Sequence, residues 1–208
     1  MSDKPILFSA PMVRAILDGH KTQTRRLIKP PKWSIQDFNW DDHCGFDEDN
    51  SPFFLCAATG FFAPVFPKCA PGDTLWVKET WAGDEWHGLA YRATEPDALP
   101  FGEEIEFNRW KPSIFMPHWA SRIDLEVLAV RAEWLQDITN QDAKCEGVPP
   151  RVPDRQHPER YDYIQSFAER WDEIQNKASR HASWMLWDAN PAVWVYEFRL
   201  KERKDVTE

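Results

Sequence analysis

SAPMVRAILDGHKTQTRRL, residues 9 to 27, contains the signals of a helix, a turn and a strand in that order. Ser9 is a suitable N-cap, Pro11 fits the first helical turn, and Gly19 is a typical helix stop. The apolar residues between them fall on one side of a helix: Met12, Val13, Ile16 and Leu17. We therefore predict a short helix, a basic turn at 19–26, and a strand that begins after Lys21 and ends before Pro30.

Downstream of this unit the chain favours β-structure. Pro71-Gly72-Asp73 is a turn signal before a short strand at 74–77, and a second strand is expected at 89–92. Residues 121–130 alternate apolar and polar side chains, which predicts a half-buried strand. Residues 192–200 are dense in β-branched and aromatic residues, which predicts a well-buried strand near the end of the chain.

Two helices are expected in the second half of the chain. Thr139 with Asp142 three residues later is a weaker form of the capping box, so a short helix should run to about Gly147. Glu146 then lies at the negative end of the helix dipole, which is unfavourable unless a cation or a hydrogen-bond donor meets it. A longer helix is expected at 159–178. Its core side chains follow helical spacing: Tyr161, Ile164, Phe167, Ala168, Trp171 and Ile174.

The remaining segments lack periodicity. We interpret 33–70 as an irregular insertion or a long hairpin, and 93–118 as a second irregular insertion. The 12 Trp and 13 Phe supply enough apolar surface for one core. These observations predict a single domain over residues 1–200, with a frayed charged tail at 201–208.

The charge distribution restricts the partners. A net charge of −9 argues against coating long nucleic acid, and no long-duplex DNA binding is expected. Residues 1–32 are a local exception, with seven Lys and Arg against two Asp. This face would attract an anionic ligand or a short nucleic acid, or it is simply a solvated basic face.

The sequence does not favour disulfides, a metal site or a membrane or secreted location. The four cysteines, Cys44, Cys56, Cys69 and Cys145, form no CxxC pair, so reduced thiols are expected rather than disulfides. A zinc site made of His43 with Cys44, Cys56 and Cys69 is an alternative, but structural zinc sites usually have ligands in closely spaced pairs, so idle cysteines are favoured. We expect no metal and no cofactor. No run of about 18 apolar residues and no secretory signal is present, so a cytoplasmic location without membrane contact is expected.

The order of these motifs resembles that of the ASCH family, a branch of the PUA-like β-barrel fold. The resemblance is carried by the segments 19–25, 71–77, 122–130, 135–139 and 194–198. It implies an α+β, mainly β chain: a PUA-like (ASCH) β-barrel with short flanking helices and two irregular insertions. The pattern is most similar to ASCH proteins of phages and prophages, whose location would be the host cytoplasm.

The resemblance extends to the bacterial N(4)-acetylcytidine amidohydrolases, which use a Lys and a Thr from a GxKTxTxR turn and a Glu from a short helix. Those positions are occupied here by Lys21, Thr24 and Glu146. A threonine hydroxyl needs a base before it can attack a carbonyl, and Lys21 can serve if burial or the neighbouring Arg25 and Arg26 lower its pKa. Glu146 would act as acid or orient the base.

Several side chains are candidates for substrate binding. Arg25, Arg26 and Arg122 would meet phosphate, and Trp76, Trp81 and Trp119 would stack on a base. The expected partner is a small nucleoside or a short RNA, and the chain is expected to be a monomer or a weak dimer.

Alternatives to the amidohydrolase hypothesis remain open at this stage. Lys21 and Glu146 could form an ordinary ion pair while Thr24 points into the sheet. The chain could be a noncatalytic module that binds RNA or a modified nucleotide, or it could be a ribonuclease.

Overall fold

The computed structural model describes residues 2–29, 44–56, 61–84, 88–95, 109–151, 162–178 and 183–203. The helices in these ranges are α1 (Ala10–Leu17), α2 (Asn140–Cys145) and α3 (Tyr163–Ala178). The strands are β1 (Asp3–Leu7), β2 (Gln23–Leu27), β3 (Cys44–Phe46), β4 (Pro52–Cys56), β5 (Phe61–Pro64), β6 (Thr74–Lys78), β7 (Trp81–Asp84), β8 (Gly88–Tyr91), β9 (Ile123–Trp134) and β10 (Ala192–Arg203). The prediction of an α+β, mainly β chain is confirmed. No closed barrel is detected among the described strands.

The chain forms two compact units. The first unit comprises Met1–Thr22, Cys69–Ala129 and Glu197–Glu208, and the second comprises Gln23–Lys68 and Val130–Tyr196. The boundary falls inside β9 and inside β10, so each of these strands contributes residues to both units. The single domain over 1–200 stays a prediction.

The sheet of the first unit is built on β6. Its strand order is β1-β6-β9-β10. Strand β1 runs parallel to β6, with Lys4 opposite Leu75, and β6 runs antiparallel to β9, with Leu75 opposite Leu125. Leu75 and Leu125 are both buried, so this register places the apolar face of each strand in the core.

The N-terminal helix and turn are confirmed. Ser9 occupies the N-cap position of α1, although its side chain makes no capping hydrogen bond. Gly19 has a φ of 73°, a conformation that glycine adopts without steric cost. The amides of His20 and Lys21 both donate to Ala15 O, at 2.8 and 2.9 Å, and these bonds close the helix before the chain enters β2.

The second unit contains the strand order β9-β10-β2 and a separate antiparallel sheet in the order β3-β4-β5. The sequence predicts an irregular insertion or a long hairpin at 33–70, and the described part of this segment is instead two consecutive hairpins. Phe54 of β4 is buried and packs with Ile28, Ala132 and Ala192. Burial of this apolar face explains why the segment forms ordered strands.

The helices of the second unit agree with the sequence prediction. Thr139 caps α2 and forms the full capping box with Asp142. Helix α3 begins at Tyr163 in the described residues, and Tyr161, which was assigned to its core, lies outside them. Phe167 and Trp171 pack in one buried cluster with Leu135 and Val195. Within the described ranges, none of the helices has the length and apolar character needed to cross a bilayer.

The ends of two strands differ from the sequence prediction, and one further strand, β1, is not predicted. Strand β9 continues to Trp134, four residues beyond the predicted end. Strand β10 continues to Arg203, so the first residues of the predicted frayed tail belong to the strand. Strand β1 was missed because it is short and mostly exposed, and its pairing partner β6 lies about 70 residues away in the sequence.

Asp73, in the turn before β6, provides a test of the first unit. Its carboxylate accepts hydrogen bonds from the amides of Ser2 at 2.7 Å and Ala70 at 3.1 Å. These backbone donors, with Ala70 first and Ser2 second, lower the pKa of Asp73 from 3.8 to about 2. A folded-state pKa below the unfolded value means that the carboxylate stabilises the fold above about pH 4 and loses this effect as the pH falls towards about 2.

We expect Asp73→Asn to lower the urea midpoint at pH 7, because an amide oxygen accepts these bonds less strongly than a carboxylate. The difference from the parent protein should shrink as the pH falls below about 4. Urea titrations of both proteins from neutral to acid pH measure this difference in midpoint. A difference that stays constant over this range would contradict the role assigned to the carboxylate.

Candidate functional site

The second unit contains a buried group of charged side chains that we call the Arg25 cluster. It consists of Gln23 and Arg25 on β2, Arg131 and Glu133 on β9, Asp142 on α2, and Glu146 directly after α2. Arg25 lies at its centre, with a side chain that is 0% exposed. The cluster joins the basic turn of the sequence to the helix that carries the predicted catalytic glutamate.

Arg25 donates to several acceptors. Its Nε and Nη2 both donate to Oε1 of Glu133, at 2.9 and 2.6 Å. Its Nη1 donates to Oε1 of Glu146 at 3.1 Å and to Oε1 of Gln23 at 3.4 Å. The guanidinium also lies over the ring of Phe167, 5.8 Å from the centroid. Each of its three nitrogens is therefore bonded to a protein acceptor, as a buried guanidinium requires.

Asp142 and Arg131 form the outer part of the cluster. Burial raises the pKa of Asp142, but hydrogen bonds from Thr139 and Gln23 and the charge of Arg25 outweigh burial, so the pKa of Asp142 lies below its usual value. Arg131 donates from Nε to Oε2 of Glu133 at 3.0 Å and lies 3.6 Å from Asp142 Oδ1. Cations and carboxylates thus alternate through the cluster.

Glu146 places a negative charge at the C-terminal end of α2, where the helix dipole makes a carboxylate unfavourable unless a cation or a hydrogen-bond donor meets it. It occupies the C-cap position, where a carboxylate is opposed by the helix dipole. The sequence indicates that a cation or donor must meet it, and Arg25 is that group. Arg25 thus compensates the charge that the helix terminus disfavours.

The three predicted catalytic side chains are all buried. Lys21 is 2% exposed, Thr24 is 1% exposed and Glu146 is 6% exposed. In the first unit the Lys21 ammonium lies 5.6 Å from the centroid of the Phe8 ring. Thr24 and Glu146 belong to the second unit. The convergence of the three groups on one substrate stays a prediction.

Two of the predicted phosphate-binding arginines are engaged by protein groups. Arg122, at the start of β9, donates from Nε and Nη2 to the two carboxylate oxygens of Glu79, at 2.9 and 3.1 Å, and from Nη1 to Thr94 Oγ1 at 3.2 Å. Burial raises the pKa of Glu79, and Arg122 partly offsets this effect. Arg122 and Arg25 are thus parts of buried networks, and phosphate binding by either stays a prediction.

Arg26 lies next to Arg25 on β2 and is half-buried. Burial lowers its pKa, and the charges of Glu146 and Tyr196 oppose this effect. An arginine stays charged at neutral pH even when its pKa falls, so Arg26 adds a positive charge that acts on Glu146. Its assignment to phosphate binding stays a prediction.

The three predicted stacking tryptophans lie in the first unit in different environments. Trp81 is buried and meets Trp119 edge-on, with ring centroids 5.8 Å apart. Trp119 itself is 44% exposed. Trp76 is half-buried and stacks on His118 at 4.7 Å. Of the three, Trp119 has the exposed ring that stacking on a base requires.

Sequence reasoning missed the neighbours of Trp119. Phe115 is 72% exposed, and Ile114 is also exposed on the same short 3₁₀ turn. Lys111 lies over the Trp81 ring, 4.4 Å from its centroid. Residues 109–122 contain three Lys and Arg and no Asp or Glu, which was the signal available in the sequence. We call the exposed residues Arg109, Ile114, Phe115, His118 and Trp119, together with Lys111, the aromatic-basic surface.

The cysteines give no support to a zinc site within the described residues. Cys44, Cys69 and Cys145 are reduced thiols, and burial raises the pKa of Cys44 to about 12. In the described ranges, no group of three or more His, Cys, Asp or Glu side chains is arranged to hold a metal ion. His43, the histidine of the zinc alternative, lies outside the described residues.

Two solved structures are similar to this chain. One is a protein from Enterococcus faecalis assigned to the family DUF984, with 6% sequence identity, 100% of this chain and 86% of that chain covered, and a TM-score of 0.45. The other is an ASCH domain from Lactobacillus crispatus, with 13% identity, 96% of this chain and 79% of that chain covered, and a TM-score of 0.41. No protein-family model and no curated protein sequence matches the chain. At these values neither likeness carries information on substrate or reaction.

Proposed function

We propose that this protein is an amidohydrolase that removes the acyl group from N(4)-acylated cytosine nucleosides or a related modified base. The observation that carries the proposal is the burial of Lys21, Thr24 and Glu146, which are each at most 6% exposed. Burying an ammonium and a carboxylate is costly, and ionisable groups in such environments are concentrated at functional sites. The same three positions carry the resemblance to the acetylcytidine amidohydrolases.

The ion pair with Arg25 favours one of the two roles proposed for Glu146, that of an orienting group. A carboxylate that accepts a guanidinium hydrogen bond at 3.1 Å is suited to act as an acceptor rather than as a proton donor. In the proposed reaction Glu146 accepts the N–H of the amide at the exocyclic nitrogen and orients it.

The proposed reaction has two halves. Lys21, as the neutral amine, takes the hydroxyl proton of Thr24 while Oγ1 attacks the acyl carbonyl carbon. The bond from this carbon to the exocyclic nitrogen breaks, and the Lys21 ammonium returns the proton to the leaving nitrogen. Water then attacks the acyl ester, Lys21 takes a proton from it, and the same proton goes to the departing Thr24 oxygen. The products are the deacylated nucleoside and a carboxylic acid.

We expect Lys21→Ala and Thr24→Val each to reduce the rate of N(4)-acetylcytidine hydrolysis by about 100-fold or more, because base and nucleophile act in the same step. Thr74→Val removes the hydroxyl of another buried threonine, one that is bonded to Lys201, and should retain the parent rate within about threefold. Release of cytidine, followed by chromatography, measures the reaction. A Lys21→Ala protein as active as the parent would show that the assignment is wrong.

A second candidate function is supported by a different observation. The aromatic-basic surface exposes Trp119 and Phe115 in a segment without acidic residues, on a chain whose net charge is −9. Exposed aromatic rings beside cationic groups are the combination that binds single-stranded nucleic acid by stacking and backbone attraction. The alternative function is thus a module that binds short RNA through the first unit.

If this surface binds RNA, Trp119→Ala should weaken binding of a short single-stranded RNA by about 10-fold, because one stacked base is lost. Phe66→Ala is the matched control, since Phe66 is an exposed aromatic residue of the second unit. Fluorescence anisotropy at several salt concentrations measures the affinity. Equal affinities of the two variants would exclude this surface, and cleavage of the RNA would favour the ribonuclease hypothesis.

A further inference from the structure

Arg25 belongs to the basic turn, yet its surroundings are those of an internal residue. The sequence assigns it to phosphate binding together with Arg26. In the structure its side chain is 0% exposed, and its nitrogens bond Glu133, Glu146 and Gln23. A phosphate could reach this guanidinium only by displacing a buried carboxylate. The role of Arg25 must therefore be sought through its protein partners.

We propose that Arg25 is a positioning residue that holds the Glu146 carboxylate in its working orientation, and that Glu133 is the counter-anion that holds Arg25. The inference rests on the proposed function and assigns a role within the same site. The geometry behind it is that Arg25 bonds both glutamates, Glu146 at 3.1 Å and Glu133 at 2.6 Å.

The ion pairs of the Arg25 cluster form a series that runs from the partly exposed Arg131 to the buried Glu146. Arg131, with a side chain that is 36% exposed, bonds Oε2 of Glu133 at 3.0 Å. Glu133 receives two nitrogens of Arg25 on its other oxygen, Oε1. The remaining terminal nitrogen of Arg25 bonds Glu146, whose side chain is 5% exposed. Charges alternate along this series from the partly exposed Arg131 to the buried Glu146, so each ion has a partner of opposite sign.

The contact of two Arg25 nitrogens with one oxygen of Glu133 explains how one side chain fixes another. Glu133 engages Nε and Nη2, so the plane of the guanidinium is set by a strand residue, and Nη1 is left pointing at Glu146. Packing over the Phe167 ring restricts the guanidinium further. Lysine has no planar fork and cannot hold both carboxylates in this geometry.

The position of Glu146 makes this support necessary. Its backbone is the C-cap of α2, where the dipole opposes a negative charge. Without Arg25 the carboxylate would lose the cation that opposes this dipole, and it would rotate out of its working orientation. This change misplaces the acceptor for the N–H of the substrate amide and reduces the rate of the chemical step more than substrate binding.

The test compares three variants in N(4)-acetylcytidine hydrolysis, with kcat and KM expressed per folded molecule. Arg25→Met should reduce kcat by about 100-fold with KM within about threefold, and Arg25→Lys should recover part of this loss, to about 10-fold below the parent. Arg151→Met is the control, because Arg151 forms an exposed ion pair with Glu169, at 3.2 Å, in the same unit but outside the Arg25 cluster. Its kcat should stay within about threefold of the parent.

A merely structural role gives a different pattern. Arg25→Met would then lower the melting temperature and the folded fraction, while kcat per folded molecule would be unchanged, and this result would overturn the inference. If Arg25→Met does not fold, Arg25→Lys decides: a kcat loss of about 10-fold at unchanged KM supports the inference, and a kcat within about twofold of the parent overturns it. A parent protein without turnover overturns the proposed function itself, which separates the two failures.

Discussion

The second unit depends on the ion pairs of one buried guanidinium. Arg25 joins β2 to β9 through Glu133 and to the end of α2 through Glu146. A charge in such a place is tolerated only when its partners are fixed, and removing one partner of a buried pair typically costs about 3–5 kcal/mol. The elements around the cluster are therefore held in one arrangement by the need to keep every charge compensated.

The same constraint links local structure to chemistry. The capping box of Thr139 and Asp142 starts α2, and after six helical residues Glu146 forms the C-cap. Asp142 accepts from Gln23 at 3.0 Å, so the helix is tied to β2 near its N-terminus as well as at its C-cap. A helix this short gains little from its own hydrogen bonds, and these tertiary contacts stabilise it. The proposed orientation of the Glu146 carboxylate follows from this anchoring.

Local signals in the sequence predicted the elements that depend on neighbouring residues. The helix between Ser9 and Gly19, the cap at Thr139 and the alternating start of β9 each need only a few consecutive residues, and all three are present. The predicted need for a partner at Glu146 also follows from a local rule. These local signals therefore locate the candidate side chains within their helices and strands.

The missed features depend on residues that are far apart. Glu133 is 108 positions from Arg25 and Glu146 is 121 positions from it, and no local pattern announces such a pairing. For this reason Arg25 was assigned to phosphate, like Arg122, whose partner Glu79 is 43 positions away. Each of the two units buries an arginine against a glutamate. The exposed fraction of the side chain, and not its place in a sequence motif, distinguishes such an arginine from a cation that binds a ligand.

The central claim is that Lys21, Thr24 and Glu146 act on one substrate. A crystal structure of the protein with bound cytidine tests this claim most directly. We predict that the exocyclic nitrogen of the base lies within about 3 Å of the Glu146 carboxylate, with Lys21 Nζ and Thr24 Oγ1 close enough to share a proton on the same side of the base. Cytidine bound at Trp119 with Lys21 and Glu146 facing different regions would contradict it.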